Sequence, residues 1–272
     1  GATADCAYGD ERCTACGTCD YEVVDTIVYH PEDYRPQHRP PPAPLPEGRT
    51  TLRVRYAKEG RAAALSHLET MTAVLRAFRR AGLPIPHSQG FHPKPRVSFG
   101  PACPVGTESR AEFLDLELHG MADPEHVAAH IRRKLPEGFR LLSCARVPDG
   151  SESLSRTIRA IEYRVEMPDG APDVAERLQQ FTARSEATVM REREDKAPLR
   201  IDLKAAVDGL RADGPRELRF KLRAGEASAT ARPSELLSAL FGPEWVKPGL
   251  ARIVREDVVF GTPAPHLAPR QP

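Results

Sequence analysis

The sequence predicts an α+β protein: two tandem ferredoxin-like units, each a split βαβ, preceded by a cysteine-rich metal knuckle and a proline-rich linker. Three observations predict it. Four of the six cysteines stand inside residues 6–19. Residues 22–49 end in "YRPQHRPPPAPLPEGR", a run that buries no core and favours extended polyproline conformations. From Thr50 the apolar spacing switches between the two-residue period of strands and the 3.6-residue period of helices. The order is strand, helix, strand, strand, helix, strand, and then the same again. The 272 residues suffice for two such domains, 50–150 and 151–262. They are flanked by the metal segment at 1–21, the linker at 22–49 and a tail at 263–272 that reads as disordered.

In "TLRVRYAKEG", Leu52, Val54 and Tyr56 alternate with Arg53 and Arg55, a half-buried strand. "SHLETMTAVLRAFRRAG" reads as a helix. Ser66 and Glu69 have capping-box spacing, Leu68, Met71, Leu75 and Phe78 fall on one face, and Gly82 with Pro84 closes the element. "RVSFG" and "AEFLDLEL" are strands. "DPEHVAAHIRRKLPEG" is a helix with Asp at its cap, Pro at its first position and Gly at its stop, and "FRLLSCARV" is a strand. In the second half "TIRAIEYRVEM" is a strand with Ile161, Tyr163, Val165 and Met167 alternating, and "PDVAERLQQFTARSE" is a helix. "ATVMRERE", "LRIDLKAAV" and "RELRFKLRA" read as strands, the last two as a hairpin over "DGLRADGP". "SELLSALFG" is a short helix and "ARIVREDVVF" the closing strand. The halves share element order and no residue motif.

The net charge of +1 hides an imbalance. Thr51 to Arg110 holds ten Lys/Arg against three Asp/Glu, net +7, so the rest of the chain carries −6. Such asymmetry suits an anionic partner, a nucleic acid or an anionic lipid surface. No apolar run approaches the roughly 18 residues that span a bilayer, and no charged-then-apolar leader opens the chain. The expectation is a cytoplasmic protein with no membrane partner. A first residue of Gly is expected of a piece of a longer chain carrying a tag remnant.

"HSQGFHPKPRVSFGP" concentrates the basic segment's chemistry. Pro84, Pro86, Pro93 and Pro95 stiffen it, and Gly90 permits a tight turn. Lys94 and Arg96 project charge, His87, Ser88, Gln89 and His92 offer hydrogen bonds, and Phe91 is either a core plug or a platform for a base. Beside Arg76, Arg79 and Arg80 on the preceding helix, the stretch reads as an anion-binding loop. His67, in the first turn of that helix, is a surface histidine or a general acid/base. The sequence contains no G-x-S-x-G, no Walker loop, no H-E-x-x-H and no C-x3-C-x2-C.

Cys6, Cys13, Cys16 and Cys19 stand as C-x6-C-x2-C-x2-C, spacing for one tetrahedral ion or one cluster. Cys103 and Cys144 stand apart. The expectation is one metal centre bound by the four clustered cysteines in a reducing compartment. A 4Fe–4S cluster is the first expectation in the cell, and zinc the alternative.

The run "LSHLETMTAVLRAFRRAGLPIPHSQGFHPKPRVSFGPACPVGTESRAEFLDLEL" resembles an uncharacterised bacterial family of radical-SAM-linked proteins, encoded beside or fused behind a cobalamin-binding-type radical-SAM protein. The resemblance rests on S-H-L at Ser66–Leu68, R-x-x-x-R-A-G-L-P-like residues at Arg76–Pro84, S-Q-G-F at Ser88–Phe91, and G-x-x-S-x-A-E at Gly106–Glu112. "CTACGTCD" is similar to the end of the radical-SAM portion of fused members, which implies that the chain is the C-terminal part of one. A looser similarity of shape is to the CRISPR-associated RNA-processing superfamily, some of whose members keep a histidine on the first helix.

The expected function is a non-catalytic RNA-recognition module of a radical-SAM enzyme, in cis or in trans, for tRNA or rRNA modification. Arg76, Arg79, Arg80, Lys94 and Arg96 would contact phosphates, and His87, Ser88, Gln89, Phe91 and His92 would sit near a base or ribose. The alternatives are a metal-independent endoribonuclease using His67 or His92, and a scaffold that docks the radical-SAM core without nucleic acid.

Overall fold

The alternation that begins at Arg49 produces the first strand of a computed structural model describing residues 44–194, 196–224, 231–247 and 249–261. In chain order the elements are β1 (Arg49–Lys58), α1 (His67–Arg80), β2 (Val97–Phe99), β3 (Glu108–His119), α2 (Pro124–Arg132), β4 (Phe139–Arg146), α3 (Leu154–Thr157), β5 (Ile158–Glu166), α4 (Val174–Ala183), β6 (Thr188–Arg193), β7 (Lys196–Asp202), α5 (Leu203–Ala206), β8 (Val207–Ala212), β9 (Glu217–Arg223), α6 (Pro233–Phe241) and β10 (Arg252–Phe260). The α+β class read from the sequence is the class the chain adopts. The cysteine segment at 1–21, most of the 22–49 linker and the tail at 263–272 lie outside the described residues, apart from residues 44–49.

Eight strands form one sheet in the order β4-β1-β3-β10-β5-β9-β8, with β2 also on β3, while β6 and β7 pair only with each other. β3 shares one edge between two neighbours. β2 meets one end of it antiparallel (Val97 opposite Leu116), and β10 meets the other end parallel (Val254 opposite Glu108, Arg255 opposite Ser109). Helices pack over the apolar faces of both sets of strands. Leu52, Val54, Leu114 and Leu116 pack with Val74 and Phe78 of α1 and Ile131 of α2. Tyr163, Val165, Leu218 and Phe220 pack with Leu178 and Phe181 of α4 and Leu236 of α6.

The structure corrects four readings. Thr70, Val74, Ala77 and Phe78 are the buried residues of α1, while Leu68 is 74% exposed, so the inward stripe is rotated from the predicted one. "LRIDLKAAV" is not one strand. Asp202 accepts hydrogen bonds from the Lys204 and Ala205 amides and caps a helical turn there, ending β7. β7 then pairs with β6, and "VDGLRA" becomes β8, which hairpins onto β9. α2 ends at Arg132, six residues before Gly138, because the Lys134 and Leu135 amides both turn back to the Ile131 carbonyl and Pro136 follows. Finally, Arg53 does not point into solvent. It is buried and forms a bidentate pair with Asp115 at 2.7 and 2.9 Å.

That last correction extends over the sheet's second face. Period-2 alternation there sets basic against acidic side chains across strands. Arg55 pairs with Asp257, Arg110 with Glu59 and Glu256, Arg164 with Glu256, and Lys221 with Glu162.

Candidate functional site

α1 starts where the sequence predicts. The Ser66 hydroxyl accepts from the Glu69 amide, and the Glu69 carboxylate accepts from the Ser66 amide at 2.8 Å. These Ser66 contacts hold the Glu69 carboxyl below its ordinary range. The helix ends in a Schellman arrangement: the Gly82 amide donates to Arg79 O and the Leu83 amide to Phe78 O, with Gly82 at φ 68°. Both ends of the helix carrying Arg76 and Arg79 are thus fixed by local chemistry.

The loop after α1 is braced. The His119 amide donates to Pro84 O, the Arg96 amide to Pro86 O, and the Glu117 amide to Arg96 O, tying the loop's base to β3. His87 and Pro95 form an isolated antiparallel bridge. The Ser88 amide donates to Lys94 O at 2.8 Å, and the Lys94 amide donates to the Ser88 hydroxyl at 3.0 Å. Beyond that clamp Gln89, Gly90, Phe91, His92 and Pro93 form the tip, all exposed, with Gly90 at φ 125°. Phe91 is wholly exposed, so the core-plug reading of this residue does not hold.

Between α1 and this loop lies a cleft of about 490 Å³, whose polar lining is Thr72, Arg76, Arg79 and His87. The structure therefore brings three of the predicted RNA-contacting residues, two for phosphate and one for a base or ribose, into one concavity. The others are distributed around it. Lys94 is exposed on the outgoing arm. Arg96 pairs with Glu117 at 3.5 Å, Arg80 donates to the Lys134 carbonyl at 2.9 Å, and the Ser88 hydroxyl is engaged within the loop. Arg76, Arg79 and Lys94 have no acidic partner among the described residues. Neither His67 nor His92 lines the cleft. The His67 ring lies edge-on to Phe99, with centroids 6.3 Å apart.

A second cluster was not foreseen. Arg255, buried on β10, donates to Glu112 at 2.9 Å and to the Pro101 and Ala102 carbonyls at 2.9 and 2.8 Å. Burial opposes its charge, but Glu112 beside it raises its affinity for the proton on balance. Burial also pushes the Cys103 thiol up to about 11, and raises the Tyr56 and Tyr163 hydroxyls. A buried, protonated Cys103 is a poor nucleophile, and the cluster ties β3 to β10. Period and spacing carry no signal for this pairing.

The four cysteines at 6, 13, 16 and 19 lie outside the described residues. Among the described residues no group of His, Cys, Asp and Glu is arranged to hold a metal ion, and no helix is long and apolar enough to cross a membrane.

The sequence model of a family described as "Uncharacterized protein conserved in bacteria (DUF2344)" matches residues 51–233. No curated protein matches the chain. Among solved structures the chain is similar to one titled "Crystal Structure of an Unknown Protein from Galdieria sulphuraria". The identity is 15% over 79% of this chain and 100% of that chain, and the TM-score is 0.24, too low to bear on fold or function.

Proposed function

Starting from the fact that this chain belongs to the DUF2344 family, uncharacterised proteins conserved in bacteria, we propose that it is a non-catalytic RNA-recognition module serving a radical-SAM enzyme that modifies tRNA or rRNA. The observation that carries the RNA part is the cleft that gathers Arg76, Arg79 and His87, beside Lys94 and an exposed aromatic tip. Arginines without carboxylate partners beside a polar, aromatic-bearing loop form a surface to which phosphates add favourable charge pairing and bases add stacking. The radical-SAM part rests on the resemblance of the Ser66–Glu112 motifs. The strand orders β4-β1-β3-β2 and β10-β5-β9-β8 support taking residues 50–150 and 151–262 as two ferredoxin-like units. On this reading Cys6, Cys13, Cys16 and Cys19 hold one metal centre, a 4Fe–4S cluster with zinc as the alternative.

The test is binding of bulk tRNA and rRNA fragments across a salt series. Each phosphate contact contributes about −0.7 to −0.9 to the slope of log K against log salt. Arg76→Ala with Arg79→Ala should therefore flatten the slope by roughly 1.4–1.8 and weaken binding to every sequence alike. No binding at low salt, or an unchanged slope, would remove the proposal. RNA recovered cleaved in the presence of chelator, with cleavage lost in His67→Ala or His92→Ala, would favour the endoribonuclease instead. For the metal, anaerobic purification followed by elemental analysis and visible absorbance should find iron and sulfide with a coloured protein. Stoichiometric zinc in a colourless protein would decide for zinc, and a metal-free protein would defeat both.

A further inference from the structure

We infer that the cleft between α1 and the 84–96 loop takes one unpaired nucleotide, so that the RNA it selects presents a single-stranded loop, bulge or end rather than continuous duplex; this rests on the RNA reading above. The first support is size. At about 490 Å³ the cleft lies within the range of sites that enclose one small ligand, roughly 300–1,000 Å³. A base still stacked and paired within a helix cannot leave its neighbours to enter such a space, whereas a splayed-out base can.

The second support is the composition of the walls. Leu75, Leu83, Ile85, Pro93 and Pro95 supply hydrocarbon surface, while Arg76, Arg79 and His87 supply the polar groups. A phosphate backbone alone would engage the arginines and leave the apolar wall facing water. A nucleotide satisfies both parts. Its base lies against the proline and aliphatic side chains, and its phosphate reaches the two guanidinium groups, whose fork of donors suits phosphate oxygens.

The third support is Phe91. Its ring is fully exposed, and it is carried on a tip clamped by the reciprocal Ser88–Lys94 hydrogen bonds. An aromatic ring held out in this way has a face free for stacking against a second base, beside the one in the cleft. In a duplex both faces of every internal base are already stacked, so that contact is closed to internal pairs and open to unpaired nucleotides.

The experiment compares the full chain with two labelled probes of equal phosphate count, a hairpin RNA with a single-stranded loop and a blunt RNA duplex. The hairpin should bind at least about tenfold more tightly. Phe91→Ala should weaken hairpin binding by about five- to 150-fold, the range expected for losing one stacked base, and should leave duplex binding nearly unchanged. Phe91→Trp should retain the preference, and Arg79→Ala should weaken both probes. Because Phe91 touches nothing in the core, the parent and Phe91→Ala should melt alike. Equal binding of the two probes, with Phe91→Ala without effect, would overturn this inference and leave the RNA reading standing. If neither probe binds, both readings fall. Phe91-dependent binding to phosphatidylserine vesicles in place of RNA would overturn both in favour of an anionic lipid surface.

Discussion

Arg255 shows how one buried charge is kept. The residue is 1% exposed, and its guanidinium donates to one carboxylate and two carbonyls. Breaking such a pair leaves an uncompensated charge, whereas replacing both partners by apolar groups removes that penalty. Glu112→Gln should therefore lower the unfolding free energy by about 3–5 kcal/mol. Glu112→Leu with Arg255→Met should be more stable than either single variant, short of full recovery because the Pro101 and Ala102 carbonyls lose their donor. Urea unfolding of the four proteins gives the coupling directly. A coupling energy within about 0.5 kcal/mol of zero would mean that the pair is not the joint its geometry describes. The Gly106–Glu112 motif is one of those that carry the resemblance. Its Ser109 and Glu112 turn out to be interior residues, Ser109 accepting from the Ala111 amide and Glu112 holding Arg255. No local pattern announces a partner that far along the chain.

At the scale of elements, most end signals complete within a few residues were legible, the Asp202 cap and the buried stripe of α1 excepted, and the pairing of the later strands was not. The capping box of α1, the Asp123 cap of α2 and the Gly82 stop are each complete within six residues, and each stands as read. The hairpin partners in residues 188–223 were misassigned because the same apolar alternation runs through three adjacent strands, and only the Asp202 cap interrupts it. Gly138, which the spacing predicts as a helix stop, serves a different contact. Its φ is 83°, its carbonyl accepts from the Glu59 amide at 2.8 Å, and a Cβ there would stand 2.6 Å from the Ala62 Cβ and 2.9 Å from the Glu59 carbonyl oxygen. Gly138→Ala should cost about 2–3 kcal/mol through conformation and overlap together, seen as a Tm several degrees lower. Gly138→Asn tolerates the conformation but keeps the overlap. If Asn restores full stability, the crowding against the turn at Gly60–Ala64 is not the cause.

Over the whole molecule the sequence's charge imbalance was real, but its placement was not what a linear count suggests. Of the basic residues between Thr51 and Arg110, Arg53, Arg55 and Arg110 are matched by acids on the sheet, and two of those acids, Glu256 and Asp257, come from the distant β10. Lys58 is buried, its ammonium donating to the Leu65 carbonyl. The basic residues left without an acidic partner are fewer than the count implied, and Arg76, Arg79 and Lys94 among them lie at or beside the α1 cleft. The placement of β10 between β3 and β5 has one more consequence, in the timing of synthesis. Glu112 and Arg255 are 143 residues apart, so at about 5–20 residues per second the ribosome makes the arginine roughly 7–30 s after the glutamate. During that interval β1 to β4 can pair among themselves, but the end of β3 that will receive β10 has no strand beside it, and Glu112 has no counter-ion. The nascent first half must wait with an open edge and an unmatched carboxylate, and only the arrival of β10 completes its interior.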